Sequence, residues 1–162
     1  MTQTLAQRRA KYALQEVKRI DQLSDVKLKS RVRVYAQSLP AMVQMNGLGP
    51  AMAFCRSKNP DSDRAYHELY EILSGWLTDE SEPHVPYGKG YTPEQKAGRD
   101  LLDAITRSDM RRYRAAQVEA LAFLEWLKRF AAAYLPSGKD AKKAEESAKT
   151  EDGDAGEGAS DV

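Results

Sequence analysis

An all-α bundle is the fold class this chain predicts, and three features of the sequence predict it. Apolar residues recur at helical spacing in segment after segment, alternating strand-like patterns are nearly absent, and helix-ending signals separate the segments. At 162 residues the chain is long enough for about one domain with its own core.

Leu5 to Ile20 carries Leu5, Tyr12, Ala13, Val17 and Ile20 on one side, with Leu14 beside them. Ser24 is placed to cap a second helix that runs through Val26, Leu28, Val32, Tyr35 and Ala36 to Ser38. Proline disfavours helix at the residue before it and fits a first turn, so Pro40 is expected to start a separate short helix to Asn46. Gly47 then takes a left-handed position, Gly49 caps, and Pro50 opens a helix to Lys58 that turns Met52, Phe54 and Cys55 inward. The stretch LPAMVQMNGLGPAMAF therefore reads as a tight corner between buried helices. A phosphate-cradling loop would need more glycine, a preceding strand and a lysine or hydroxyl at the helix start.

Asp61 to Leu77 holds Ala65, Leu69, Ile72, Leu73 and Trp76, with Asp61 and Asp63 at its dipole-positive end. Prolines, glycines and acids make Thr78 to Tyr91 a loop. Thr92-Pro-Glu-Gln95 reads as a capping box opening a helix to about Arg107. Asp109 to Leu135 is the longest helix, ended by Pro136-Ser-Gly138. Its core face comprises Tyr113, Ala116, Ala120, Phe123, Leu124, Leu127, Phe130, Ala131 and Tyr134. The expected organisation is a compact bundle of about six helices over residues 1–135, followed by a disordered acidic tail over 136–162.

Charge supports that division. Past Pro136 there are four lysines against eight acids, a net of −4, which leaves +5 for residues 1–135 out of the chain's +1. The tail has almost nothing apolar to offset an ordering cost of about 1–2 kcal/mol per residue. A modestly basic body suits an anionic partner without requiring one. The segment MTQTLAQRRAKYAL has no apolar core of a secretory signal, and no run approaches the roughly 18 apolar residues of a membrane span. A cytoplasmic protein without a membrane partner is expected.

Candidate chemistry is sparse. The single cysteine, Cys55, excludes an internal disulfide and reads as a small buried hydrophobe despite Arg56 and Lys58 nearby. His67 and His84, the only histidines, lack the spacing of a metal site, so no metal and no cofactor are expected. The acid pairs Glu68/Glu71 and Asp100/Asp103 have bases beside them in Arg64, Arg99 and Arg107, as ion-paired helix faces do. Tyr87-Gly-Lys-Gly-Tyr91 admits two readings, tyrosines tucked onto the bundle or a ring stacking on a base. No catalytic residues and no small-molecule substrate are indicated.

The basic residues are more patterned. Lys27, Lys29, Arg31 and Arg33 alternate on one helix, Lys18 and Arg19 precede them, and Arg107, Arg111 and Arg114 form a stripe. Such stripes neutralise phosphates without a sequence code, although solvated faces look similar. On the last helix the side opposite the core carries Arg111, Arg114, Val118, Ala122 and Arg129, with Trp126 at its edge. Small residues allow close approach, and tryptophan and arginine anchor interfaces, so Trp126, Val118 and Ala122 are candidate subunit contacts.

Four segments, QRRAKYALQEV, YAQSLPAMVQMNGLGPAMAFCRSK, YHELYEILSGWL and YRAAQVEALAFLEWLKRFAAAYL, follow one another in an order that resembles a known family. It is the small helical subunit of type III-B CRISPR–Cas effector complexes, the fifth protein of the Cmr module. The resemblance covers about residues 5–135. It implies a helical protein without an active site, whose copies stack as a minor filament beside the backbone subunits. Its partners would be other Cmr-module subunits, copies of itself, and the crRNA–target RNA duplex or the target strand. Lys58, Arg114, Lys128 and Arg129 fall inside the matching motifs as RNA-contacting candidates; Arg111 joins them through its stripe. Arg19, Lys29 and Arg33 rest on charge patterning. A helical adaptor that binds only protein is the alternative, and a small enzyme whose site forms only between subunits is another.

Overall fold

The computed structural model describes residues 2–89, 91 and 100–151. Among the described residues lie seven helices and no strand: α1 (Leu5–Asp21), α2 (Val26–Asn46), α3 (Leu48–Ser57), α4 (Arg64–Leu77), α5 (Leu101–Arg107), α6 (Met110–Tyr134) and α7 (Gly138–Glu151). The all-α class is as expected. α6 packs most extensively on α1 and α2, and α4 closes the bundle against α2, α3, α6 and α1.

At the junction of α1, α4 and α6 sits an aromatic triad. Phe123 stacks on Trp76 at 5.8 Å and meets the edge of Tyr12 at 5.9 Å. Tyr12 approaches α4 at Gly75, where a Cβ would come within 2.2 Å of the phenol oxygen. Burial pushes the Tyr12 hydroxyl up to about 12. Beside the triad lies Glu119, only 8% exposed. It accepts two bonds from the Arg9 guanidinium, at 2.7 and 2.8 Å, and one from Trp76 Nε1 at 2.9 Å. A buried carboxylate is tolerated only when its charge and lone pairs are met, and here they are.

The corner between α2 and α3 departs from the expectation in two ways. α2 runs unbroken through Pro40. An interior proline costs about 3 kcal/mol, but Ala36, Leu39, Pro40 and Val43 are all buried, and this packing offsets the cost. α3 starts at Leu48, with Gly47 closing one helix and opening the next. The open amides of its first turn are met from α6 and from the turn itself. Leu48 N–H donates to Gln117 Oε1 at 3.1 Å, Gly49 N–H to the Tyr113 hydroxyl at 3.0 Å, and Ala51 N–H to the Gly47 carbonyl at 3.2 Å. Pro50 has no amide to satisfy, so a proline in the first turn leaves no gap. Gly47 has φ +88° and ψ 161°, a positive φ as expected, but in an extended region that essentially only glycine enters.

Other boundaries shift slightly. Asp25 rather than Ser24 caps α2, accepting from Leu28 N–H at 2.9 Å; the carboxylate adds a charge at the positive helix end. α4 begins at Arg64, and the Asp63 carboxylate accepts from the Tyr35 hydroxyl at 3.3 Å instead of capping. The Thr92–Gln95 capping box lies outside the described residues, and α5 is described from Leu101.

α7 corrects part of the expected disordered tail. Ser137 N–H donates to Asp140 Oδ2 at 2.9 Å and Asp140 N–H to Ser137 Oγ at 3.4 Å, a reciprocal cap. Alanine, lysine and glutamate propagate the helix well, and Ala141 is buried where α7 meets α2. The acidic remainder, 152–162, lies outside the described residues.

These contacts make two stability predictions. Gly47→Val places a β-branched residue where only glycine fits, with its Cβ about 3.1 Å from the Tyr113 hydroxyl. It should lower urea-unfolding stability by about 1–3 kcal/mol; an unchanged midpoint would place the corner elsewhere. Arg9→Met strands a buried carboxylate and should cost about 3–5 kcal/mol. Arg9→Met combined with Glu119→Gln should recover most of that loss, since glutamine still accepts from Trp76. Strictly additive losses would show that the pair is not coupled.

Candidate nucleic-acid interface

The basic residues separate into two kinds once folded. On α2, three of the four alternating bases reach backbone carbonyls of neighbouring segments. Lys29 Nζ donates to Asp21 O at 3.0 Å, Arg31 to Ser62 O at 2.9 Å, and Arg33 to Leu135 O at 2.9 Å. Lys29 and Arg33 thereby place a cation at the C-terminal ends of α1 and α6, where the helix dipole favours it. Arg19 is held by Glu16 and Glu68, each at 2.9 Å. Arg8 binds Glu82 at 2.7 Å and fastens the loop after α4 to α1. These groups hold the bundle together.

α6 presents the other kind. At about 100° per residue, Arg111, Arg114, Ala115, Val118, Ala122, Glu125, Trp126, Arg129, Ala132 and Ala133 occupy one outward sector. Arg111 and Arg114 are exposed and have no hydrogen-bond or ion-pair partner among the described residues. The Arg129 side chain is 73% exposed and lies 3.8 Å from Glu125; Lys128, just outside the sector, pairs with the same Glu125 at 2.9 Å. Val118 is 69% exposed, and Ala122 is half-buried. Trp126 is 36% exposed and stacks on Phe130 at 5.7 Å, so the ring is at the surface and not under α1. Arg111, Arg114, Val118, Ala122, Trp126 and Arg129 are thus brought together; Arg19, Lys29, Arg33 and Lys58 are elsewhere.

Lys58, at the end of α3, lies 4.3 Å over the Phe54 ring and 5.9 Å from the Tyr66 centroid. The sequence reading turned Phe54 inward and left Tyr66 unremarked, so it missed this cluster. Phe54, Tyr66 and Tyr35, which stacks on Tyr66, come from three different helices and leave no local signal.

The remaining chemical candidates have structural roles. Tyr87 is buried, its hydroxyl 2.8 Å from Ser108 Oγ, which excludes it as a base-stacking platform; Tyr91 lies under the Arg112 guanidinium at 4.9 Å. Cys55 is fully buried and burial pushes its thiol up to about 12. His67 bonds the Lys58 carbonyl, Asp100 accepts from Tyr70, and Asp103 pairs with Arg107 at 3.0 Å. Among the described residues no three His, Cys, Asp or Glu side chains converge as metal ligands, and no helix is long and apolar enough to cross a membrane.

The same architecture is found in a solved relative. The crystal structure of a CRISPR-associated Cmr5 family protein from Thermus thermophilus superposes with a TM-score of 0.62 at 27% identity. The match covers 83% of this chain and 100% of that one. The family model described as CRISPR-associated protein (Cas_Cmr5) matches residues 5–134, which is α1 through the end of α6. By fold and by this match over most of its length, the chain belongs to the Cmr5 family of CRISPR-associated proteins.

Proposed function

We propose that this chain is a non-catalytic small subunit of a type III-B CRISPR ribonucleoprotein effector complex, and that it helps hold target RNA in antiviral silencing. Copies stack as a minor filament beside the backbone subunits, in the cytoplasm. The observation that carries this reading is the outward sector of α6. Most basic groups of the bundle have an intramolecular partner. Arg111 and Arg114 stand exposed without one among the described residues, beside an exposed Val118 and Trp126. Unpaired guanidiniums are ready to take phosphate oxygens in place of water. The apolar residues between them suit a neighbouring subunit. Arg129 and Lys128 extend the same surface, and Lys58 supplies a separate cationic point.

Family membership supports the assembly, and the structure supports the surface on which it would act. Phosphate contacts give affinity without a sequence code, as a subunit that accepts any target requires.

Arg111→Glu with Arg114→Glu should keep the helical circular dichroism and melting temperature of the parent, because neither side chain holds a partner among the described residues. RNA binding by the chain, or by the complex containing it, should weaken. Its slope against log salt should fall by about 0.7 for each phosphate that is no longer neutralised. Arg129→Glu should fold normally and impair incorporation or target binding. Purified chain should leave labelled single-stranded RNA and DNA intact with magnesium or manganese. Normal assembly with unchanged RNA affinity in both variants would favour a protein-only adaptor, and turnover that co-elutes with the chain would end the non-catalytic reading.

A further inference from the structure

Away from α6, the structure holds a second feature suited to a nucleic acid. Tyr35 of α2 and Tyr66 of α4 stack with centroids 3.9 Å apart and planes 10° from parallel. Phe54 of α3 meets Tyr66 edge-on at 5.1 Å, and its ring is 36% exposed. Lys58 Nζ lies over the Phe54 ring with no carboxylate within ion-pair distance among the described residues. Three helices thus fix an aromatic cluster at the surface, and the Lys58 ammonium over it is held by ring faces alone among the described residues. Such a contact is weak at an exposed site, so the ammonium exchanges readily for a better anionic partner.

We infer that Phe54, Tyr66 and Tyr35 form a stacking platform for an unpaired base of single-stranded RNA, with Lys58 moving from the ring to the adjoining phosphate. Charge decides between this ligand and a cationic protein segment. The Asp63 carboxylate accepts from the Tyr35 hydroxyl through one oxygen, and its other oxygen is buried, so it is turned away from the surface. Lys58 thus has no ion pair among the described residues, and Arg31, bonded to the Ser62 carbonyl, adds positive charge near Tyr35 that opposes the Asp63 charge there. A planar group attached to a phosphate matches both halves of the site; a lysine or arginine of another protein is repelled. His67 bonds the Lys58 carbonyl and anchors the backbone that carries the ammonium. The inference rests on the RNA-holding reading and adds to it a base contact outside the α6 sector.

The test uses the full chain, alone and in the effector complex, with single-stranded RNA carrying 2-aminopurine, whose fluorescence falls when it stacks on an aromatic ring. Wild type should bind and quench. Phe54→Leu keeps the apolar volume but loses the ring; it should raise Kd about fivefold or more and abolish the quench. Lys58→Gln, at the surface, should weaken binding and flatten its salt dependence, and it decides the matter if Phe54→Leu fails to fold. Arg114→Glu should raise Kd while bound RNA remains quenched. Undiminished affinity and quench in Phe54→Leu or Lys58→Gln would overturn the platform while leaving the α6 surface intact. Loss of incorporation with RNA affinity unchanged would make the cluster a protein contact and overturn it likewise. Absence of RNA binding by wild type in either form would remove the RNA-holding reading and this inference with it.

Discussion

The bidentate pair of Arg9 and Glu119, completed by Trp76 Nε1, is the contact on which the arrangement of the bundle depends. Apolar packing alone leaves a helix free to rotate somewhat about its axis, because hydrophobic burial has no direction. A buried carboxylate does not allow that freedom. If α6 turned by a few tens of degrees, Glu119 would lose its guanidinium and face an unpaired burial costing several kcal/mol. The same carboxylate is bonded from α1 and from α4, so the rotation of α6 is fixed against two neighbours at once. The Tyr12, Trp76 and Phe123 rings then stack in only one way.

That fixed rotation has a consequence at the far side of the helix. Glu119 and the core residues take about half of the circumference. Tyr113 and Gln117 take a further edge, where they satisfy the amides of the Gly47 corner. What is left includes the sector of Arg111, Arg114, Val118, Ala122, Glu125, Trp126 and Arg129. Glu125 with Lys128 and Arg129 is an ordinary ion-paired patch there, but the rest of the sector is arginine, tryptophan, valine and alanine rather than paired glutamate and lysine. The placement of a surface arginine is thus tied to a buried ion pair several turns away on the same helix.

Much of this was legible in the sequence, and the failures share a cause. The periodicity of Ala13, Val17 and Ile20, of Leu69, Ile72, Leu73 and Trp76, and of Ala116, Ala120, Phe123 and Leu127 correctly marked buried faces. Such signals are local, and a single helix carries them. Glu119 was not legible, because a glutamate at the edge of an apolar stripe ordinarily snorkels to water; its burial depends on Arg9, 110 residues away. Pro40 was misread for the same reason, since the packing that keeps α2 continuous comes from other helices. Arg33 and Lys29 were RNA candidates by charge patterning, which shows which residues share a side but not which carbonyl awaits them. Tyr113 and Tyr134 were both assigned to the core face; Tyr113 is partly buried under the corner, whereas Tyr134 is exposed with Lys18 at 5.8 Å over its ring.

The region past α6 shows how little a short segment needs in order to be helical once it has an anchor. The family match ends at 134, and α7 begins at Gly138. Composition argued for disorder because alanine offers almost no burial, and that argument counts only the hydrophobic contribution. The reciprocal Ser137–Asp140 cap meets amides that would otherwise stay open, and one buried alanine docks the first turn. From Lys142 to Thr150 the side chains are exposed, and high helix propensity with ion pairing available along the surface continues the helix. Four lysines balance four acids within α7, so the excess negative charge of the segment lies past it, in 152–162. A neutral helix docked on α2 therefore stands between the basic body and the acidic end of the chain. The Ser137–Asp140 cap and the buried Ala141 therefore act together at one end, and the helix is anchored where both are found.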